Sequence, residues 1–349
     1  MIPPEANPHL FGHLAAEATV MRRLERGRLA HAWLLRGPRG VGKATLAYRL
    51  ARRLLAAGDE ADTAADPSHP VFRMVRNKAH PDLRVLERVV NARTGKLVRD
   101  ITVDQVRAVD DALHQTAARG GRKVLIVDPA DDLNAPAANA LLKLLEEPPP
   151  RTVLLLACAR PGALPRTIPS RCISLVLAPL TEADLIRALG VLAPAIPPER
   201  APLLAEAALG SLGRALEIDS GGWLERYGDL LPRLAEARSS LVTRLDLAGE
   251  LVRGGDGFRA AAELLGLAVR RISLHRAGRP PERELCAGER LLLEQIAPGL
   301  GLDRWVRVWD KLAALAGQVD RLNLDPAQAL VQVLQAVCGA EPEPELSLA

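Results

Sequence analysis

The stretch Gly37-Pro38-Arg39-Gly40-Val41-Gly42-Lys43-Ala44-Thr45 constrains the fold of this 349-residue chain more than any other. It follows the apolar run Ala32-Trp33-Leu34-Leu35 and precedes a helical pattern that continues to about Leu55. The order is strand, phosphate loop, helix. Gly37, Gly40 and Gly42 let backbone N–H groups curl round a phosphate, the helix N-terminus adds partial positive charge, and Lys43 reaches the outer phosphates. The same chemistry asks for Ser or Thr directly after the lysine, to hold Mg²⁺ through a hydroxyl, and here that residue is Ala44. Thr45 comes one place late, about 100° round the helix, and is expected to point elsewhere.

A phosphate loop needs a parallel sheet behind it, and the next segments supply one. His80 to Leu86 reads as a strand. Thr102-Val103-Asp104-Gln105 is a capping-box pattern opening a helix to about Arg119. Lys123-Val124-Leu125-Ile126-Val127-Asp128 is an apolar strand closing on an acid, which places Asp128 beside the loop, where it attracts Mg²⁺ through water. On its own such an aspartate also reads as a turn cap. In hydrolytic proteins of this architecture a glutamate follows, to deprotonate the attacking water. Here Pro129 follows, and Asp131 and Asp132 lie further on in a turn. The chain lacks a base as well as a metal ligand. Helix 137–147, stopped by Pro148-Pro149-Pro150, strand 152–158, and strand 173–177 behind Ser170-Arg171-Cys172 complete an alternation of strands and helices that implies parallel βαβ units. From the residues alone, Arg171 is a strand-entrance arginine paired with a local acid.

After Ala178-Pro179-Leu180 the pattern is helical throughout. Thr181 caps one helix, Gly210 to Leu216 opens another with Arg214 in its first turns, and Asp325-Pro326 opens the last. Apolar residues make up 48% of the chain and aromatics only 3%, which suits helices packed through small side chains. Trp305 and Trp309, four apart on one helix face, are expected to be packing anchors rather than a stacking platform for bases. The acidic stretch 58–67 reads as a surface loop, 91–96 as a loop or hairpin, and 341–345 as a disordered tail.

Charge narrows the function classes little: Lys+Arg 46 against Asp+Glu 42 is a balanced surface that permits nucleic-acid contact without arguing for it. Cys158, Cys172, Cys286 and Cys338 show no metal-ligand spacing, and His9, His13 and His31 read as caps or core groups, so no metal site is expected. The N-terminus has no basic segment followed by an apolar run, and nothing approaches membrane-spanning length, so a cytoplasmic protein is expected.

Taken in order, His31 to Leu35, the phosphate loop, His80-Pro81-Asp82-Leu83, Ile101 with Val103 to Arg107, Asn139-Ala140-Leu141-Leu142-Lys143, Leu145-Glu146-Glu147-Pro148-Pro149 and Ser170-Arg171-Cys172 resemble the bacterial clamp-loader branch of the AAA+ ATPases. The motifs cover roughly residues 10–215. The resemblance implies a RecA-like α/β core over residues 1–178, a helical lid over 179–240 and an all-α collar over 241–340, with 341–349 as tail. It implies a subunit of the loader that serves DNA polymerase III, assembled with gamma or tau and delta subunits, acting on the beta sliding clamp and primed DNA. Ala44 and Pro129 fit a member that holds position without turnover, while an active or ATP-binding gamma-like ATPase is the alternative. Within the resemblance, Arg171 matches the arginine that reaches into a neighbour's nucleotide site. Arg214 matches the lid arginine called sensor 2, here vestigial or structural, and sensor 1 falls near Cys158-Ala159. Gly37, Gly40, Gly42, Lys43, Thr45, Asp128 and Arg214 make up a degenerate nucleotide site, open to ATP or ADP without hydrolysis. Many members carry a four-cysteine zinc module after the loop helix. Residues 58–80 contain no cysteine, so no zinc is expected.

Overall fold

The computed structural model of the chain describes residues 2–56, 63–90, 93–115, 117, 121–253, 257–297, 301–322 and 324–338. The chain divides into two compact units, residues 1–216 and 217–349. The lid expected at 179–240 straddles that division. The predicted tail and parts of the 58–67 and 91–96 segments lie outside the described residues.

The first unit is built on five strands: β1 (Ala32–Arg36), β2 (Leu83–Leu86), β3 (Lys123–Val127), β4 (Thr152–Cys158) and β5 (Ile173–Val176). They pair in the order β2-β3-β4-β1-β5, and every pairing is parallel. β1, β3 and β4 are near-continuous apolar runs because helices cover both faces of the sheet, whereas the edge strand β2 buries only its two end residues and β5 alternates half-buried with exposed ones. Successive side chains alternate between two cores. Trp33 and Leu35 face one with Leu46 and Leu50; Leu34 faces the other with Leu141 and Leu144.

The helices of this unit are α1 (Leu14–Glu25), α2 (Lys43–Leu55), α3 (Pro70–Arg76), α4 (Val103–His114), α5 (Ala135–Glu146), α6 (Glu182–Leu192), α7 (Ala201–Ala208) and α8 (Leu212–Ser220), the last crossing into the second unit. Several of their starts follow the predicted caps. Gln105 accepts from the Thr102 N–H at 3.0 Å, and Thr181 Oγ1 accepts from the Asp184 N–H at 3.1 Å. α4 ends at His114 rather than near Arg119. Lys123 explains the stop: its buried Nζ donates to the terminal carbonyls of Leu113 and Gln115, as a cation does at a helix C-terminus. Residues 116 and 118–120 lie outside the described residues.

The second unit is all helical: α9 (Trp223–Ala237), α10 (Leu241–Arg253), α11 (Gly257–Arg276), α12 (Glu289–Ile296), α13 (Leu302–Leu322) and α14 (Pro326–Val337). α11 is the central helix, packed against the other five. Its Ala261, Leu265, Ala268 and Ile272 recur at helical spacing and are fully buried. Asp325 caps α14 as predicted, accepting from the Gln328 N–H at 2.8 Å. Trp305 is fully buried, but Trp309 is 43% exposed, so only the first is an anchor of the kind expected. No helix among the described residues is long and apolar enough to cross a membrane.

Candidate phosphate-binding site

Parallel pairing puts the carboxyl ends of all five strands on one edge of the sheet. The loop after β1, Asp128 after β3 and Cys158 at the end of β4 therefore meet where ligands of such sheets bind. The register places Arg36 opposite Cys158 and Val127 opposite Leu156.

Every carbonyl of the loop from Gly37 to Gly42 has a donor. Lys43 Nζ donates to Gly37 O at 2.9 Å and Pro38 O at 2.7 Å, and Ser211 Oγ to Arg39 O at 2.8 Å. The Gly213 N–H donates to Gly40 O at 3.0 Å, the His13 ring Nε2 to Val41 O at 2.7 Å, and the Leu46 N–H to Gly42 O at 2.9 Å. With its carbonyls already engaged, the loop keeps its N–H groups for something else. Among the described residues, no N–H from Gly40 to Ala44 donates to a protein acceptor, which is the arrangement that cradles a phosphate. Gly40 has no alternative at its position: its φ is +78°, and a Cβ there would lie 2.4 Å from Ser211 Oγ and 3.0 Å from Gly213 Cα. The segment that opens α8 is thus packed directly on the crest of the loop.

Lys43 is buried, and desolvation pulls its pKa down against the raising fields of Asp131 and Asp128. The Asp128 carboxyl is pushed up to about 6 by burial, with Lys43 opposing. Because this folded value lies above the ordinary value of about 4, the folded chain holds the proton more tightly than the unfolded chain. Stability from this group is therefore full below about pH 4 and lost as pH rises to about 6. Asp128→Asn is expected to flatten that part of the stability profile and to raise the urea midpoint at neutral pH. An unchanged slope in urea melts across the same window would count against burial as the cause.

Thr45 and Arg214 are half-buried, on the first turns of α2 and α8, and the Arg214 N–H rests on Ser211 Oγ at 3.2 Å. Three residues that sequence reasoning did not place at the site belong to it. His13 and Ser211 hold loop carbonyls. Asp131, beyond Pro129, accepts from the Ala159 N–H at 3.0 Å and from Arg160 Nε at 3.4 Å, tying the turn after β3 to the end of β4. The neighbouring Cys158 thiol is pushed up to about 11, chiefly by burial and then by Asp131. Asp131 could have been suspected from its place in the turn after an acid-terminated strand. His13 carried no such signal, because its contact exists only once the chain has folded.

Arg171 lies elsewhere. It closes the turn Pro169–Arg171 that leads into β5, so it sits at the amino edge of the sheet. The loop sits at the carboxyl edge, across a strand that rises about 3.3 Å per residue, on the order of 15 Å away. Arg171 Nη2 pairs with Glu146 Oε1 at 2.6 Å, the local-acid pairing that the residues alone suggested.

A family described as DNA polymerase III, delta subunit, matches residues 13–181. The DNA polymerase III subunit delta' of Pseudomonas aeruginosa is 42% identical over 181 residues, covering 52% of this chain and 52% of that protein. Residues 13–181 are thus similar to this delta family. The delta' subunit of Yersinia pestis is 39% identical over 42% of this chain and 41% of its own length. The gamma subunit of Buchnera aphidicola subsp. Acyrthosiphon pisum is 30% identical over 53% and 48%. The chain spans about half the length of these relatives or less. Among solved structures, a gamma subunit-related protein of Thermotoga maritima matches 93% of this chain and 99% of its own at 21% identity and a TM-score of 0.44. The matched segment begins at His13, the residue on the loop, and ends at Thr181, the cap of α6. It contains every candidate site residue except Arg214 and Ser211.

Proposed function

We propose that this chain is a clamp-loader subunit of DNA polymerase III in DNA replication, of the delta-prime type. It is an ATPase-defective stator that assembles in the cytoplasm with gamma or tau and delta, and donates Arg171 to a neighbour's nucleotide site. The assembly then places the beta sliding clamp on primed DNA. The observation that carries this reading is the position of Arg171 at the edge of the sheet opposite to the loop. A guanidinium there is out of reach of a phosphate held by its own loop, which supports a target on another subunit. Any nucleotidyl transfer belongs to the assembled holoenzyme, and no zinc is part of the proposal.

The loop favours a second, narrower reading, in which ATP or ADP binds here without hydrolysis. The N–H groups from Gly40 to Ala44 and the Lys43 ammonium fit a phosphate. The metal position fits poorly: Ala44 offers no hydroxyl, and Pro129 supplies no base beside Asp128. When bound, the nucleotide would supply phosphate charge to the loop and nothing to the chemistry of this chain.

Both readings are tested on the purified chain, and on its Lys43→Ala form, by steady-state ATP hydrolysis and equilibrium ATP binding with and without Mg²⁺. Background hydrolysis is expected from both forms. Binding that Lys43→Ala abolishes would establish the second reading alongside the first. Hydrolysis above background that disappears in Lys43→Ala would replace the stator with a gamma-like motor.

A further inference from the structure

Arg171 is held from two sides. Its Nη2 meets Glu146 Oε1 at 2.6 Å, and its Nη1 donates to the Thr167 carbonyl at 3.1 Å. Both supports are anchored. Glu146 is the last residue of α5, whose Ala138, Leu141, Leu144 and Leu145 are buried in the core, and the ring of His31 fixes the Leu145 carbonyl at 3.0 Å. On the other side Ile168 is fully buried, and its carbonyl accepts the Arg171 N–H at 3.1 Å. The ion pair itself is open to solvent, with side chains 36% and 50% exposed. Exposed pairs of this kind add little to folding stability. What the pair does is fix a long, rotamer-rich side chain between two rigid elements.

We infer that Glu146 is a positioning residue for Arg171, a role that rests on Arg171 acting on a neighbour's phosphoryl group. Held by carboxylate and carbonyl, the planar fork is oriented before the subunits meet, so less side-chain freedom is lost when it engages a phosphate. Its remaining N–H donors are left for the phosphate oxygens.

The test is ATP turnover by the loader reconstituted with cognate gamma or tau and delta subunits, beta clamp and primed DNA, carrying Glu146→Gln, Glu146→Asp, Arg171→Ala or the Glu146→Gln/Arg171→Ala pair. Glu146→Gln is expected to lower kcat by about two- to five-fold, the scale of one exposed ion pair, with KM and assembly unchanged. Glu146→Asp should recover part of that loss, and Glu146→Gln should add nothing to Arg171→Ala. A kcat for Glu146→Gln equal to or above wild type, while Arg171→Ala collapses turnover, overturns the positioning role and leaves the arginine's role standing. A loss in the double variant beyond that of Arg171→Ala also overturns it, since Glu146 would then act by another route. If Arg171→Ala itself leaves turnover unchanged, the underlying reading fails and the inference with it.

Discussion

Arg171→Ala, placed in a loader reconstituted with gamma or tau and delta, is expected to lower DNA- and clamp-stimulated ATP turnover by about 10³-fold or more while the assembly stays intact by sizing. The magnitude follows from what a guanidinium supplied in trans does. Charge spread over the oxygens of the transferring phosphoryl group is neutralised by a fork that needs no rearrangement at the moment of reaction. The location supports the size of the effect. The side chain is partly exposed and its pair with Glu146 is of a kind that adds little to folding stability, so intact assembly by sizing separates a loss of turnover from unfolding. Arg171→Lys is expected to recover little, because an ammonium lacks the planar fork that meets two phosphate oxygens together. Turnover unchanged in Arg171→Ala, with assembly intact, would reduce the chain to a scaffold.

How the sequence disclosed some of this and concealed the rest follows from which forces act locally. The runs Lys123–Val127 and Thr152–Cys158 are legible because a strand buried on both faces must be apolar along its whole length. The caps at Thr102, Thr181 and Asp325 are legible because a helix start is satisfied by its own neighbours. The loop glycines show in the sequence, but the reason Gly40 must be glycine does not: it is Ser211 and Gly213, far along the chain, that occupy the space. The hold of His13 on Val41, and the choice of Glu146 as the acid that pairs with Arg171, are hidden for the same cause, since such pairs are brought together only by the sheet. Trp309 shows the opposite failure. Its spacing from Trp305 is that of one helix face, yet the buried stripe runs through Trp305, Val308, Leu312, Leu315 and Val319 and leaves Trp309 at its margin.

Glu289 is the extreme case, reading as an ordinary first-turn acid of α12 yet only 1% exposed. It pairs with the fully buried Arg271 through both carboxylate oxygens, the Nη2 contact measuring 2.7 Å. Its oxygens also accept from Tyr227 Oη at 2.7 Å and from the Leu285 N–H at 2.7 Å, while Arg271 Nη2 donates to the Arg283 carbonyl at 2.6 Å. The cluster ties α9, α11, α12 and the 283–285 segment together inside the second unit. Burial and the Glu289 charge push the Tyr227 hydroxyl far above its ordinary pKa, so it stays a donor. Glu289→Ala is therefore expected to cost about 3–5 kcal/mol, because it strands a guanidinium where water does not reach. With the usual urea slopes of about 1–3 kcal/mol/M, the midpoint for this unit should fall by at least about 1 M. Replacing both charges, Arg271→Met with Glu289→Leu, is expected to cost far less than either single change, since no uncompensated ion remains and the partners lost by Tyr227 and by the backbone at Arg283 and Leu285 are those of neutral groups. Urea melts of the four chains decide the matter. Single and double variants destabilised alike would mean that the cluster's hydrogen bonds, rather than its paired charges, hold these helices together.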